Sequence, residues 1–204
     1  MEYIYEECST LSKNFCHEII EKFDSDSRRR PGELKSGAID HTVKKRIDLS
    51  IEHITDWDVE SKRLNDAFIT SFTNYINNLK LNVFGKDKVH ILEKIFSGPN
   101  VHRTHFLMGR YDVGGHFTWH VDYLHYGERI CNFIIYLNDH EACTEFLDGK
   151  KIKPEAGKIL FFPTTWVHAH CGQSVEKNAK YIISGFICHA KELTQSLPFI
   201  VTRE

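Results

Sequence analysis

Apolar positions in the first third of the chain fall on two helical stripes. Leu11, Phe15, Ile19, Ile20 and Phe23 recur at spacings of four, four, one and three residues, which lays them along one face of a helix. Ser9 or Thr10 is the expected N-cap, because a hydroxyl there can satisfy an orphan backbone N–H of the first turn. A longer stripe, Leu64, Phe68, Phe72, Tyr75, Ile76 and Leu79, predicts a second helix over about residues 59–79. The intervening SDSRRRPGELKSGAIDHTVKKR is polar, with Pro31, Gly32 and Gly37 as breakers, and reads as a connection.

After about residue 100 the pattern shortens to that of strands. Stretches rich in β-branched and aromatic residues occur at 105–111, 117–123, 129–137, 151–152, 158–162 and 180–188. Turn residues separate them at Gly114-Gly115, Asp148-Gly149 and Glu155-Ala156-Gly157. Short strands at this spacing predict an antiparallel barrel or sandwich. The expected architecture is α+β and mainly β, one domain over 1–204. Residues 1–99 form a mainly helical support region packed against a β core over 100–190.

Composition narrows the classes of function. The 204 residues are 41% hydrophobic and include 14 Phe and 8 Tyr, which suits a packed aromatic core and excludes disorder and coiled coil. With 26 Lys plus Arg against 28 Asp plus Glu the net charge is -2. The basic excess that grips a phosphate backbone is missing, so nucleic acid is set aside as a main partner. No apolar run approaches the ~20 residues of a membrane-spanning helix. The opening MEYIYEECSTLSKNF lacks the basic-then-apolar pattern of a secretory signal. Cys8, Cys16, Cys131, Cys143, Cys171 and Cys188 contain no C-x-x-C pair, so free thiols in a reducing, cytoplasmic compartment are expected. The unusual count is 13 His, the residue that most often ligates metals.

Chemistry concentrates in YDVGGHFTWHVDYLHYGERICNFIIYLND, which contains His120-Val121-Asp122. On a strand, residues two apart project from the same face, so this imidazole and carboxylate can share one volume. Beyond a strand ending in Phe161-Phe162-Pro163, WVHAHCG offers His168 and His170. Two His and one carboxylate on one face of a metal leave the opposite face open, the facial triad suited to non-haem Fe(II). H-x-D by itself is common in a chain with 13 His, and the surrounding frame carries the weight.

That frame resembles the iron- and 2-oxoglutarate-dependent dioxygenases, in particular their prolyl 4-hydroxylase-like branch. The pattern Y-x-x-G-x-x-[YF]-x-x-H-x-D is met by Tyr111, Gly114, Phe117, His120 and Asp122. An R-x6-Y-L-N strand is met by Arg129, Tyr136, Leu137 and Asn138, a T-x-F element by Thr144 and Phe146, and P-x-x-G-x4-F by Pro154, Gly157 and Phe162. His170, Lys180 and Tyr181 match the closing element, whose basic residue lies ten positions after the ligand. That spacing selects His170 over His168, which becomes a neighbour or hydrogen-bonding support. The GGET turn of many relatives is replaced by Glu141-Ala142-Cys143-Thr144.

The resemblance implies a double-stranded β-helix, or jelly-roll, core and a metal site made of His120, Asp122 and His170. It implies Fe(II), 2-oxoglutarate and dioxygen as cofactor and cosubstrates, with ascorbate needed by many relatives to restore oxidised iron. Lys180 would take the far carboxylate of 2-oxoglutarate, Tyr111 and Tyr136 would donate phenolic hydrogen bonds to it, and Asn132 would assist. The implied reaction couples decarboxylation of 2-oxoglutarate to succinate with hydroxylation of an unactivated C–H bond, most simply of a peptidyl proline. Alternatives are the same chemistry on another side chain or a small molecule, and a catalytically silent metal-binding module. A zinc hydrolase could use two His and a carboxylate, but it would have no use for Lys180 at that spacing. His116, Trp119, Tyr123, His125 and Tyr126 are candidates for the mouth. The runs Arg28-Arg29-Arg30 and Lys44-Lys45-Arg46 read as solvated loop.

Overall fold

The computed structural model describes residues 3–34, 36–97, 101–123, 129–189 and 197–198. The chain enters through strand β1 (Tyr5–Glu7), and the first apolar stripe then forms helix α1 (Lys13–Ser25). Its cap is Ser12, whose hydroxyl accepts from the Phe15 amide at 3.2 Å, rather than Ser9 or Thr10. Ser9 instead takes a left-handed φ of 61°. Phe15, Cys16, Ile19 and Phe23 are the face that α1 buries.

The segment expected as a connection contributes strands β2 (Arg30–Pro31), β3 (Lys44–Lys45) and β4 (Ile47–Ser50). The local reason is legible in Arg46-Ile47-Asp48-Leu49-Ser50-Ile51, which alternates polar and apolar residues with the period of a strand. The first 99 residues are therefore not only helical.

Helix α2 (Asp58–Asn78) carries the second stripe and buries Leu64, Phe68, Phe72, Tyr75 and Ile76. A π-helical turn over Leu79–Phe84 leads into α3 (Gly85–Phe96), an element that the sequence pattern did not announce. Of its residues only Leu92 is buried, so there was little stripe to see.

Strands β5 (Val101–Arg103), β6 (Leu107–Tyr111), β7 (His116–His120), β8 (Arg129–Tyr136) and β9 (Thr144–Phe146) follow. After them come β10 (Lys151–Ile152), β11 (Ile159–Pro163), β12 (His170–Gly172), β13 (Lys180–His189) and β14 (Leu197–Pro198). The major sheet runs β1-β11-β8-β13-β6-β4-β2, with β5 between β13 and β14, and the minor sheet runs β10-β9-β12-β7-β3. Every pairing is antiparallel. This is the expected jelly-roll arrangement of two sheets with helices packed against one of them.

Alternation along the major sheet splits its side chains between two cores. Phe133, Ile135, Phe161, Ile183 and Ile187 join the helices in the larger cluster. Ile134, Tyr136, Leu160, Phe162 and Ile182 face the other way and meet Phe146 and Ile152 of the minor sheet. In the larger cluster Phe68 stacks on Phe72 at 5.7 Å and tilts against Phe133 at 4.9 Å. Each fully buried Phe there contributes roughly 1.5–3 kcal/mol by leaving water. No helix among the described residues is long and apolar enough to cross a membrane.

Candidate metal centre

The minor sheet brings the two histidines together. Strand β12 lies between β7 and β9, and its register sets His170 opposite both His120 and Phe146. Strand β7 ends at His120, so Asp122 sits just beyond the strand rather than on it, yet its carboxylate still turns to the same side. One ligand atom each from His120, Asp122 and His170 lie within 4.8 Å of one another. His120 Nε2 is 3.8 Å from Asp122 Oδ1, and His170 Nε2 is 3.5 Å from Asp122 Oδ2.

Hydrogen bonds fix which nitrogen faces the carboxylate. His120 Nδ1 lies 2.8 Å from the Thr118 carbonyl, and His170 Nδ1 lies 3.1 Å from the His168 carbonyl. A carbonyl can only accept, so each Nδ1 carries the proton and each Nε2 keeps a free lone pair. Burial pushes both imidazoles below their ordinary pKa, His170 to about 4, with the neighbouring His120 adding to the effect. At neutral pH both rings are neutral, the form that binds a metal.

Packing holds these groups in place. The Phe117 ring stacks on His120 with centroids 3.7 Å apart, and Phe162 meets His170 edge-on at 4.8 Å. Asn132 Nδ2, projecting inward from β8, donates to Asp122 Oδ2. Asn132 thus supports the carboxylate, a different contact from the help toward 2-oxoglutarate implied by the sequence. Two neutral imidazoles and an anchored carboxylate, all on one side of a shared volume, fit Fe(II). His168 lies on the 3-10 turn Trp166–His168, and its side chain is not part of the group. It contributes through its backbone carbonyl.

Deeper in the same interior, Lys180 and Tyr111 are paired across β13 and β6. Lys180 is 2% exposed, its Nζ donates to the Ala142 carbonyl at 3.1 Å, and it stands 4.9 Å from the centre of the Tyr111 ring. No carboxylate pairs with it among the described residues. Burial lowers its pKa to about 8. Tyr136 is fully buried, with its hydroxyl donating to Thr144 Oγ1 at 2.7 Å, and burial raises its pKa. Tyr111 accepts from Arg46 Nη1 at 3.2 Å.

Arg46 and Lys44 correct the expectation of a solvated basic run. Both are buried, at 7% exposure, where the chain crosses from β3 in the minor sheet to β4 in the major sheet. Asp48 pairs with both, through Arg46 Nε and at 3.1 Å from Lys44 Nζ. The Arg46 guanidinium packs on Gly109, where a Cβ would come within 2.9 Å of its Cζ, so the close approach needs glycine. The local signal reaches only part of this cluster: Arg46 and Asp48 alternate with apolar residues into β4, whereas Lys44 belongs to the other sheet and joins them through tertiary pairing. Arg28 and Arg29 are also engaged, Arg28 with Asp26 and Asp56, and Arg29 with the Asp26 carbonyl at 2.7 Å.

Among the mouth candidates, Trp119 and Tyr123 are exposed. His116 instead faces two backbone carbonyls, those of Gly114 and Thr42. His125 and Tyr126 lie outside the described residues.

Comparison with known proteins agrees with this geometry. Residues 106–188 match the family model of the 2OG-Fe(II) oxygenase superfamily. The fold is similar to a prolyl hydroxylase from Trichoplax adhaerens in complex with a hypoxia inducible factor oxygen degradation domain peptide fragment. The TM-score there is 0.69 at 14% identity, over 94% of this chain and 86% of that one. A Pseudomonas putida prolyl-4-hydroxylase gives 0.65 at 12% identity, over 92% and 93%. The viral collagen prolyl hydroxylase of Paramecium Bursaria Chlorella virus-1, in its 2OG complex, gives 0.60 at 16%, over 91% and 95%. No curated protein matches the chain by sequence. The resemblance to the prolyl 4-hydroxylase-like dioxygenases, read from the motifs, stands, and the cofactors of the matching superfamily, Fe(II) and 2-oxoglutarate, suit the His-Asp-His group.

Proposed function

We propose that the protein is an Fe(II)- and 2-oxoglutarate-dependent dioxygenase that hydroxylates a peptidyl proline. The observation that carries this reading is the shared interior. The His-Asp-His group and a buried lysine with no carboxylate partner among the described residues lie on neighbouring walls of it: Lys180 Nζ stands 3.9 Å from where a Cβ would project at Gly172, on the strand that carries His170. A buried cation is costly unless an anion joins it, and the distal carboxylate of 2-oxoglutarate is such an anion. When bound, iron would let dioxygen supply the oxidising power, one oxygen atom going to 2-oxoglutarate as it loses CO2 to become succinate and the other converting a C–H bond to an alcohol.

The protein's residues then have distinct tasks. His120, Asp122 and His170 hold the metal through Nε2, a carboxylate oxygen and Nε2. Asn132 and the carbonyls of Thr118 and His168 keep those three groups aimed. Lys180 pairs with the distal carboxylate, Tyr111 donates to the cosubstrate from beside it, and Tyr136 with Thr144 closes the floor. Exposed Trp119 and Tyr123, on and just after the strand bearing His120, would meet an extended peptide. Prolyl specificity is supported by the neighbours, one of which is held with a peptide fragment.

The test is incubation with Fe(II), 2-oxoglutarate, ascorbate and a panel of peptides, read by mass spectrometry and succinate release. One added oxygen on proline, stoichiometric with succinate, is expected. Turnover confined to another residue or to a small molecule would retain the dioxygenase and overturn the prolyl assignment.

A further inference from the structure

Away from this centre, two of the remaining histidines meet at the opposite end of β4 and β6. His53 follows β4, and His105 precedes β6. Their Nε2 atoms are 3.1 Å apart, their ring centroids 4.6 Å apart, and the rings are inclined by 72°. We infer that His53 and His105 form a second metal site, a two-imidazole chelate for a borderline transition ion such as Zn2+, Ni2+ or Cu2+.

The ring spacing fits a chelate better than a straight hydrogen bond. A straight N–H···N bond of this length points the rings at each other and sets their centroids about 5.4 Å apart. Two imidazoles converging on one ion at ~2.1 Å place their nitrogens about 3.0–3.4 Å apart and their centroids about 4.8 Å apart. The observed 3.1 and 4.6 Å match the second arrangement. The same contact meets the geometry of an N–H···N hydrogen bond between the rings, which a bound ion would replace.

The pair is also built into the fold. Glu52, next to His53, is buried and accepts from Arg103 Nη2 at 2.5 Å and from the Phe106 amide at 3.0 Å. Those contacts tie the loop after β4 to the loop before β6, with His105 between the two residues that Glu52 holds. His53 sits at φ 64°, in the left-handed region that histidine enters more readily than most non-glycine residues. Glu52 is committed to Arg103, and its side chain is 4% exposed, so water would complete the coordination shell. Imidazole without a carboxylate favours Zn2+, Ni2+ or Cu2+ over Mg2+ or Ca2+. The inference is independent of the dioxygenase reading.

Zn2+ titration of the metal-free protein against a chromophoric competitor tests it. Two equivalents are expected for the unaltered chain, the weaker one lost in His53→Asn and in His105→Gln while the tighter one remains. Asn tolerates the left-handed backbone at 53, and circular dichroism of each metal-free variant confirms folding. The weaker equivalent should also raise Tm in the unaltered protein and not in His53→Asn. A single equivalent with no Tm response, or two equivalents retained in both variants, would overturn the assignment.

Discussion

The two faces of the major sheet are built from the same strands and do opposite work. Along β8, Phe133 and Ile135 point to the helices, while Asn132, Ile134 and Tyr136 point to the interior. The helix side is apolar and dense with aromatic contacts: Phe161 alone lies within 6 Å of the rings of Phe68, Phe72 and Tyr75. The interior buries Lys180, Arg46, Lys44, Asn132 and His170. Burying such groups opposes folding unless partners compensate. Asp48 compensates Arg46 and Lys44. Lys180 has no such carboxylate among the described residues, and a bound anion would complete it.

This contrast is broken most sharply by separating activity from stability. Asp122→Ala should abolish succinate formation while moving Tm little. Among the described residues Asn132 is the side chain that donates to its carboxylate, and Asp122 contributes nothing to the helix-facing core. Phe68→Ala should do the reverse, costing about 3–5 kcal/mol by chemical denaturation. The protein that remains folded should retain its 2-oxoglutarate KM. A Phe68 variant that lost turnover without losing stability would erase the distinction.

Lys180 sharpens the contrast through pH. Its folded pKa is about 8 against an ordinary 10.5. Below about pH 8 the folded protein buries a charge that the unfolded chain leaves in water, so Lys180 costs stability there. Between 8 and 10.5 the unfolded chain holds more protons, and stability rises with pH by on the order of 3 kcal/mol from this group. Denaturation of wild type and Lys180→Met across pH 7–11 should therefore differ, the variant being the more stable below pH 8. In kinetics the same variant should raise KM for 2-oxoglutarate far more than it lowers kcat. In the unaltered enzyme kcat/KM for 2-oxoglutarate should fall above about pH 8.

Smaller effects follow from the supporting residues. Asn132→Ala should weaken Fe(II) binding by roughly 10–100-fold, as expected for a group that orients a metal ligand. Equilibrium dialysis with a competing chelator measures this, and unchanged affinity would show that the hydrogen bond to Asp122 does not matter. Trp166, 73% exposed, marks the lower limit: Trp166→Ala should change stability by no more than about 0.5 kcal/mol in a urea titration.

Helices α1 and α2 were legible because their stripes are long and periodic, and the strands around the metal centre because their turns are marked by glycine. His120, Asp122, His170 and Lys180 were singled out by motif and spacing, and the fold places all four in one interior. Strands β2 to β4 were missed because Arg28 to Arg30 and Lys44 to Arg46 look like solvated charge. Only three-dimensional pairing reveals Asp48 as the partner of Lys44 and Arg46. The link from Asn132 to Asp122 joins β8 to the end of β7 and leaves no local trace. Helix α3 buries a single residue and so carries little pattern.

The interior is best tested by anaerobic titration of the Fe(II)-loaded protein with 2-oxoglutarate, followed by admission of dioxygen. A visible charge-transfer band that saturates with 2-oxoglutarate, then slow succinate release without added substrate, is the predicted result. Iron demonstrably bound, with no band and no succinate, would contradict the account.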